Sequence, residues 1–122
     1  MNPHAILFID DNSALASAYQ LSLGERGFHV LIASNGDEAL DLCVQEEGAS
    51  LAIVDLKMPG MDGPQTIAAL RQRRPGLKII AMSGQPLVPY FSRLSDLGIR
   101  IFLSKPFSIE ALICGMEELH VA

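Results

Sequence analysis

Five short apolar runs, each separated from the next by a longer segment of helical period, constrain the fold more than any other feature of this chain. They are AILFI (5–9), HVLIA (29–33), LAIVD (51–55), KIIAM (78–82) and IRIFL (99–103). Each is of strand length and nearly continuous in apolar residues rather than alternating, the pattern of strands covered on both faces in a parallel sheet. Between them lie amphipathic segments. The first, about Ser13 to Gly24, carries Leu15, Tyr19 and Leu23 on one stripe. The second carries Ala39, Leu40, Cys43 and Val44, the third Ile67 and Leu70, and the last Ile109, Leu112, Ile113 and Met116. That spacing is the mark of helices with one buried face. Strict strand–helix alternation with right-handed crossovers gives an α/β, doubly wound sandwich of five parallel strands and five helices.

Start and stop signals agree. Asn35 with Glu38, and Asp62 with Gln65, read as capping boxes, and Pro64 fits a first helical turn. Ser108 is a cap for the last helix, and Gly24, Gly48, Gly76 and Gly98 stand at or near helix ends. PLVPYFSRLSDLG (86–98) is the weakest segment, because Pro86 and Pro89 both resist a helix interior. It predicts a short helix from about Pro89 after a loop. Arg71, Arg73 and Arg74 cluster at the end of the third helix, where positive charge suits the helix dipole.

A length of 122 residues suits one domain, spanning 1–122. A net charge of −5 disfavours broad electrostatic attraction to nucleic acid or an anionic membrane. No apolar run approaches the ~20 residues of a bilayer span, and MNPHA lacks the pattern of a signal peptide. Cys43 and Cys114 sit in helical patterns and read as reduced core thiols, consistent with a cytoplasmic location. His4, His29 and His120 are isolated from one another and read as surface or boundary residues.

The strand ends carry the chemistry. Strand 1 ends in Asp10-Asp11, strand 3 in Asp55; Ser83-Gly84 follows strand 4, and Ser104-Lys105-Pro106 follows strand 5. Sites in such folds lie outside the carboxyl ends of the strands. With strand 1 between strands 2 and 3, these groups converge on one pocket. Each alone has a plain explanation: an Asp caps a helix, a Ser makes a turn, a Lys is solvated. Together, clustered carboxylates suit a hard divalent cation with oxygen ligands. A carboxylate can also attack phosphorus to form an acyl phosphate, with a lysine and a hydroxyl to meet the phosphoryl oxygens.

These residues resemble those of a response-regulator receiver domain of the CheY-like type, over essentially the whole chain. FIDDN resembles the acidic pair after strand 1, and VDLKMPGMDG (54–63) the phospho-acceptor strand and the loop after it. AMSG resembles strand 4 with its switch hydroxyl, and FLSKPF strand 5 with its lysine and proline. The spacings, 28 residues from Asp55 to Ser83 and 22 from Ser83 to Lys105, also fit. The resemblance implies a flavodoxin-like sheet in the order 2-1-3-4-5. It implies Asp55 as phospho-acceptor, with Lys105 and Ser83 as the groups that meet the phosphoryl. It implies Mg²⁺ held by Asp11 directly, by Asp10 directly or through water, by Asp55 and by the backbone carbonyl of Lys57. Ser83 and Phe102 correspond to the switch pair, and the Lys105-Pro106 bond is expected cis. Lys57 and Gln85 stand where such domains tune acyl-phosphate lifetime.

The implied function is a two-component signalling module. A phosphoryl group passes from a phosphohistidine, on a histidine kinase or a histidine phosphotransfer protein, to Asp55 and switches the helix 4–strand 5–helix 5 face. Such a domain is a phospho-acceptor that catalyses only its own phosphorylation and dephosphorylation. Contact with nucleic acid or membrane is not expected of the domain itself; its helix 4–strand 5–helix 5 face is one through which it could dimerise. Helix 1, with Leu15, Ala18 and Tyr19, would face the donor. The style of residues 58–86 also resembles receivers attached to hybrid sensor kinases. Two rivals fit less well: a haloacid-dehalogenase-type phosphatase would need an acid where Lys57 stands, and a flavodoxin-like flavin binder a Ser/Thr-rich phosphate loop where the Asp10-Asp11 pair stands.

Overall fold

The computed structural model describes residues 5–121. Its strands are β1 (Ala5–Ile9), β2 (His29–Ala33), β3 (Ala49–Asp55), β4 (Lys78–Ser83) and β5 (Ile101–Ser104). Its helices are α1 (Ser13–Gly24), α2 (Gly36–Gln45), α3 (Gly63–Arg73), α4 (Phe91–Asp96) and α5 (Ile109–Glu118). The strands form one sheet, all pairs parallel, in the order β2-β1-β3-β4-β5. Each strand returns to the sheet through a helix, so the order reverses at β1 and leaves the carboxyl ends of β1 and β3 side by side, the place where such sheets hold ligands.

Alternate side chains of the strands feed two cores. Leu7, Ile9, Ala52, Val54, Ile79 and Ala81 pack with residues of α2, α3 and α4. Ile6, Phe8, Leu51, Ile53, Ile80 and Met82 pack with residues of α1 and α5. Burial on both faces is why the runs are continuous in apolar residues.

The helix boundaries follow from their caps. Asn12 accepts from the Leu15 N–H and caps α1, and Ser108 accepts from the Ala111 N–H and caps α5. The Asp62–Gln65 box is complete. That at Asn35 is half made: Asn35 accepts from the Glu38 N–H, but the Glu38 carboxylate turns back to the Ser34 N–H and hydroxyl. The chain enters α4 through a 3-10 turn at Val88–Tyr90 that begins around Pro89, as the two prolines require.

Three expectations need correction. The last strand begins at Ile101, not Ile99. Gly98, at φ +72°, closes α4 in a Schellman motif: its N–H reaches Ser95 O and the Ile99 N–H reaches Leu94 O. Ile99 is therefore buried as part of the helix stop. Cys114 is exposed, whereas Cys43 is buried, and both are free thiols. On α5 the buried residues are Leu112, Gly115 and Met116, and Cys114 lies well round the helix from Leu112. Val44, placed on the α2 stripe, is 60% exposed: it lies about a quarter turn from the centre of the stripe formed by Gly36, Ala39, Leu40 and Cys43. His29 and His120 are exposed, as surface residues, and His4 lies outside the described residues.

Candidate phosphoryl and metal site

The carboxyl ends of β1, β3, β4 and β5 surround a cavity of about 340 Å³. Asp10, Asp11, Asp55, Lys57, Gln85 and Lys105 line it, together with Asn12 and Gly84. The acids expected to meet there do meet: Asp10, Asp11 and Asp55 each offer a carboxylate oxygen within 4.8 Å of the others.

The three acids sit in different environments because their strands deliver them differently. Asp10 continues β1 through an N–H bond to Ala33 O and is fully buried. Its carboxylate accepts from the Asn12 N–H at 2.9 Å and from Lys105 Nζ at 3.0 Å. Asp55 is the last residue of β3 and is also buried. It accepts from Lys105 Nζ at 3.1 Å and, at 3.4 Å, from the Lys57 N–H. Asp11 is exposed, and among the described residues nothing donates to its carboxylate.

Lys105 follows β5, and its backbone N–H bonds Ser83 O, which sets the side chain across the top of β4 toward β1 and β3. The Lys105-Pro106 bond is cis. One ammonium thus serves two buried carboxylates, leaving the cluster net negative. Burial pushes the Asp55 carboxyl up to about 6; the hydrogen bond from Lys105 opposes the shift and the charge of Asp10 adds to it. Burial works to lower Lys105, but its hydrogen bonds to Asp10 and Asp55 outweigh that and hold it above its ordinary value. Two buried acids sharing one cation, beside a third acid open to solvent and without a donor, fit a divalent cation with oxygen ligands.

Ser83 is buried at the end of β4. Its hydroxyl donates to Gln85 O at 3.0 Å and accepts from the Gln85 N–H at 2.9 Å, so it is held in a turn of its own chain rather than turned into the cavity. Phe102 is half-buried on β5, edge-on to Phe91 of α4 with ring centroids 5.8 Å apart.

Two contacts at the site were not foreseen, although their residues Gly63 and Asp62 lie within the 54–63 motif. Gly63 packs so closely under the end of β3 that a Cβ there would lie 2.4 Å from Leu56 Cα and 2.7 Å from Asp55 O. Arg93 of α4 pairs with Asp62, the cap of α3, at 3.2 Å. The first shows only in the packing of Gly63 against β3, and the second joins residues 31 apart.

Residues 6–116 match the family model of the response regulator receiver domain. The chain is 32% identical over 117 residues to the response regulator MprA of Mycolicibacterium vanbaalenii, covering 96% of this chain and 50% of that protein. It spans half or less of the length of such curated relatives. A Burkholderia pseudomallei response regulator, solved with a phosphorylated aspartic acid, a calcium ion and citrate, superposes with a TM-score of 0.84 at 30% identity, covering 91% of this chain and 65% of that one. The response regulator TrrA of Thermotoga maritima, solved in complex with Mg²⁺-BeF, superposes with a TM-score of 0.81 at 28% identity, covering 94% and 97% of the two chains.

Proposed function

The chain belongs to the response regulator receiver domain family, and we propose that Asp55 accepts a phosphoryl group from a phosphohistidine on a histidine kinase or a histidine phosphotransfer protein. The observation that carries this reading is the buried Asp55 carboxylate at a strand end, 3.1 Å from Lys105 Nζ and sharing a cavity with two further acids. An Asp55 carboxylate oxygen attacks phosphorus, the P–N bond breaks, and its electron pair stays on the imidazole nitrogen of the donor. The phosphoryl becomes an acyl phosphate on Asp55.

Lys105 Nζ already points at both carboxylates and is placed to exchange one of them for a phosphoryl oxygen, a charge-assisted bond. Asp10, Asp11, Asp55 and the backbone carbonyl of Lys57 would hold Mg²⁺. When bound, the cation would supply positive charge against the carboxylates and the phosphoryl oxygens. The Ser83 hydroxyl would leave its turn with Gln85 for the phosphoryl, and Phe102 would rotate off Phe91 into the space vacated. That biases the surface formed by α4, β5 and α5 between two states. Hydrolysis of the acyl phosphate resets the domain, so the only chemistry catalysed is on itself.

We place the domain in the cytoplasm, with two free thiols in support; among the described residues no helix is long and apolar enough to cross a membrane. Direct contact with nucleic acid or lipid is not part of the reading, and a dimer through the α4–β5–α5 face is compatible with it. The test is to incubate the chain with acetyl phosphate and Mg²⁺ and weigh it. Wild type gains the mass of one phosphoryl group and Asp55→Asn gains none. No gain by wild type, or an equal gain by Asp55→Asn, overturns the proposal.

A further inference from the structure

The geometry points to Tyr19 of α1 as a positioning residue for Lys105, acting through the backbone of Phe107. The inference rests on the reading that Lys105 meets the phosphoryl group on Asp55. Tyr19 is buried, and its ring stacks on Phe8 on one side, with centroids 5.4 Å apart, and on Phe107 on the other, at 4.5 Å. Its hydroxyl donates to Phe107 O at 2.5 Å and accepts from the Phe107 N–H at 3.1 Å.

The two ends of this stack are not arbitrary. Phe8 lies two residues before Asp10 on β1, and Phe107 lies two residues after Lys105. Asp10 and Lys105 are themselves joined by an ion pair of 3.0 Å. Tyr19 therefore closes a loop of contacts from β1, through α1, to the segment that presents the lysine. The backbone of that segment is held at two points: the Lys105 N–H on Ser83 O, and both polar groups of Phe107 on the one Tyr19 hydroxyl.

A lysine has a flexible stem and forms a point contact rather than a fork, so where its ammonium sits depends on where its backbone is fixed. Phenylalanine at position 19 would keep the ring stack and lose only the hydroxyl. The Phe107 N–H and C=O would lose their common partner, and the turn would keep only its Ser83 anchor. The catalytic cost of that freedom is one of orientation.

The experiment times phosphorylation of the chain by acetyl phosphate at saturating Mg²⁺ in wild type, Tyr19→Phe and Leu23→Val. Leu23 is buried on the same helix in the same core and carries no hydroxyl, so its variant supplies a stability loss while the Tyr19 bonds to Phe107 stay in place. Tyr19→Phe is expected to slow phosphorylation about threefold to tenfold, the order of one lost hydrogen bond. Leu23→Val is expected to stay within about 1.5-fold of wild type at a comparable fall in Tm. A Tyr19→Phe variant as fast as wild type, or a Leu23→Val variant slowed as much, overturns the inference. If wild type itself gains no phosphate, it is the phospho-acceptor reading that fails.

Discussion

At the scale of single residues, the energetics of the site turn on one cation between two buried acids. Lys105 is mostly buried, and removing it leaves Asp10 and Asp55 facing each other with backbone donors but no cation. A broken buried pair costs more than the pair itself contributes, because the remaining charge is stranded. Lys105→Ala is therefore expected to lower stability by about 3 kcal/mol in metal-free buffer. Chemical denaturation measures this, and Asp55→Asn in the same background should restore part of the loss. If Lys105→Ala costs nothing, the two ion pairs are not formed in solution. The acids, the lysine and the serine were legible in the sequence because each interrupts an apolar run at a strand end, where the topology gathers them. Tyr19 was legible as a core position, and its burial between Phe8 and Phe107 corrects its second reading as part of the face toward the donor. Its bonds to Phe107 cross 88 residues, and nothing local distinguishes a tyrosine that packs from one that also holds a distant backbone.

At the scale of elements, two contacts fix how helices approach β3. Gly63 starts α3 directly against Leu56 and Asp55 O, and its own N–H bonds Leu56 O at 3.1 Å. Gly63→Ala would force backbone against backbone, where no rotamer relieves the clash. It is expected to cost about 3 kcal/mol and to slow phosphorylation of Asp55 as well, since the strand end must shift. Thermal melting and the acetyl phosphate assay read the two effects; an unchanged Tm would show that α3 can back away freely. Arg74 plays a different part. The arginines at the end of α3 look in sequence like favourable charge for their own helix. The guanidinium of Arg74 instead reaches Cys43 O and Glu46 O at the end of α2, and Ala49 O at the start of β3. It serves the carbonyl end of a neighbouring helix, 28 residues back from Arg74 to Glu46, by the same dipole argument applied across space. Arg74→Ala should cost about 2 kcal/mol by urea titration, because carbonyls bonded to a charged donor lose it together; a cost near zero would mean that water replaces the side chain. The helix periods, the complete box at Asp62 and the cap at Ser108 were readable because they are local. The start of β5 was not, because the Schellman turn at Gly98 uses Ile99 first.

At the scale of the whole molecule, the acid cluster makes stability depend on pH and on metal in opposite senses. The Asp55 carboxyl in the folded chain is raised from 3.8 to about 6, chiefly by burial. Between those values the folded state holds a proton that the unfolded state has released. The contribution of Asp55 to stability is thus fully present below its unfolded value and is lost as pH rises through about 6. With the cavity open to water, the loss between pH 4 and pH 7.5 is expected to be about 1–2 kcal/mol, less than the full shift would give at about 1.4 kcal/mol per unit. Asp55→Asn removes the titrating group, so the variant should be the more stable protein at pH 7.5 and lose that advantage near pH 4. A divalent cation held by Asp10, Asp11 and Asp55 would need their ionised carboxylates and would bind only their folded arrangement. Mg²⁺ at ten times its Kd should therefore add about 1.4 kcal/mol at pH 7.5 and progressively less as pH falls through about 6. Asp11→Asn should blunt that gain, because Asp11 offers the cluster's exposed carboxylate to the cation. Denaturation at a series of pH values, with Mg²⁺ and with chelator, measures all three slopes. If wild type and Asp55→Asn share one metal-free profile, the raised carboxyl is not the source of the pH dependence. If Mg²⁺ stabilises Asp11→Asn as much as wild type, the cation is held elsewhere.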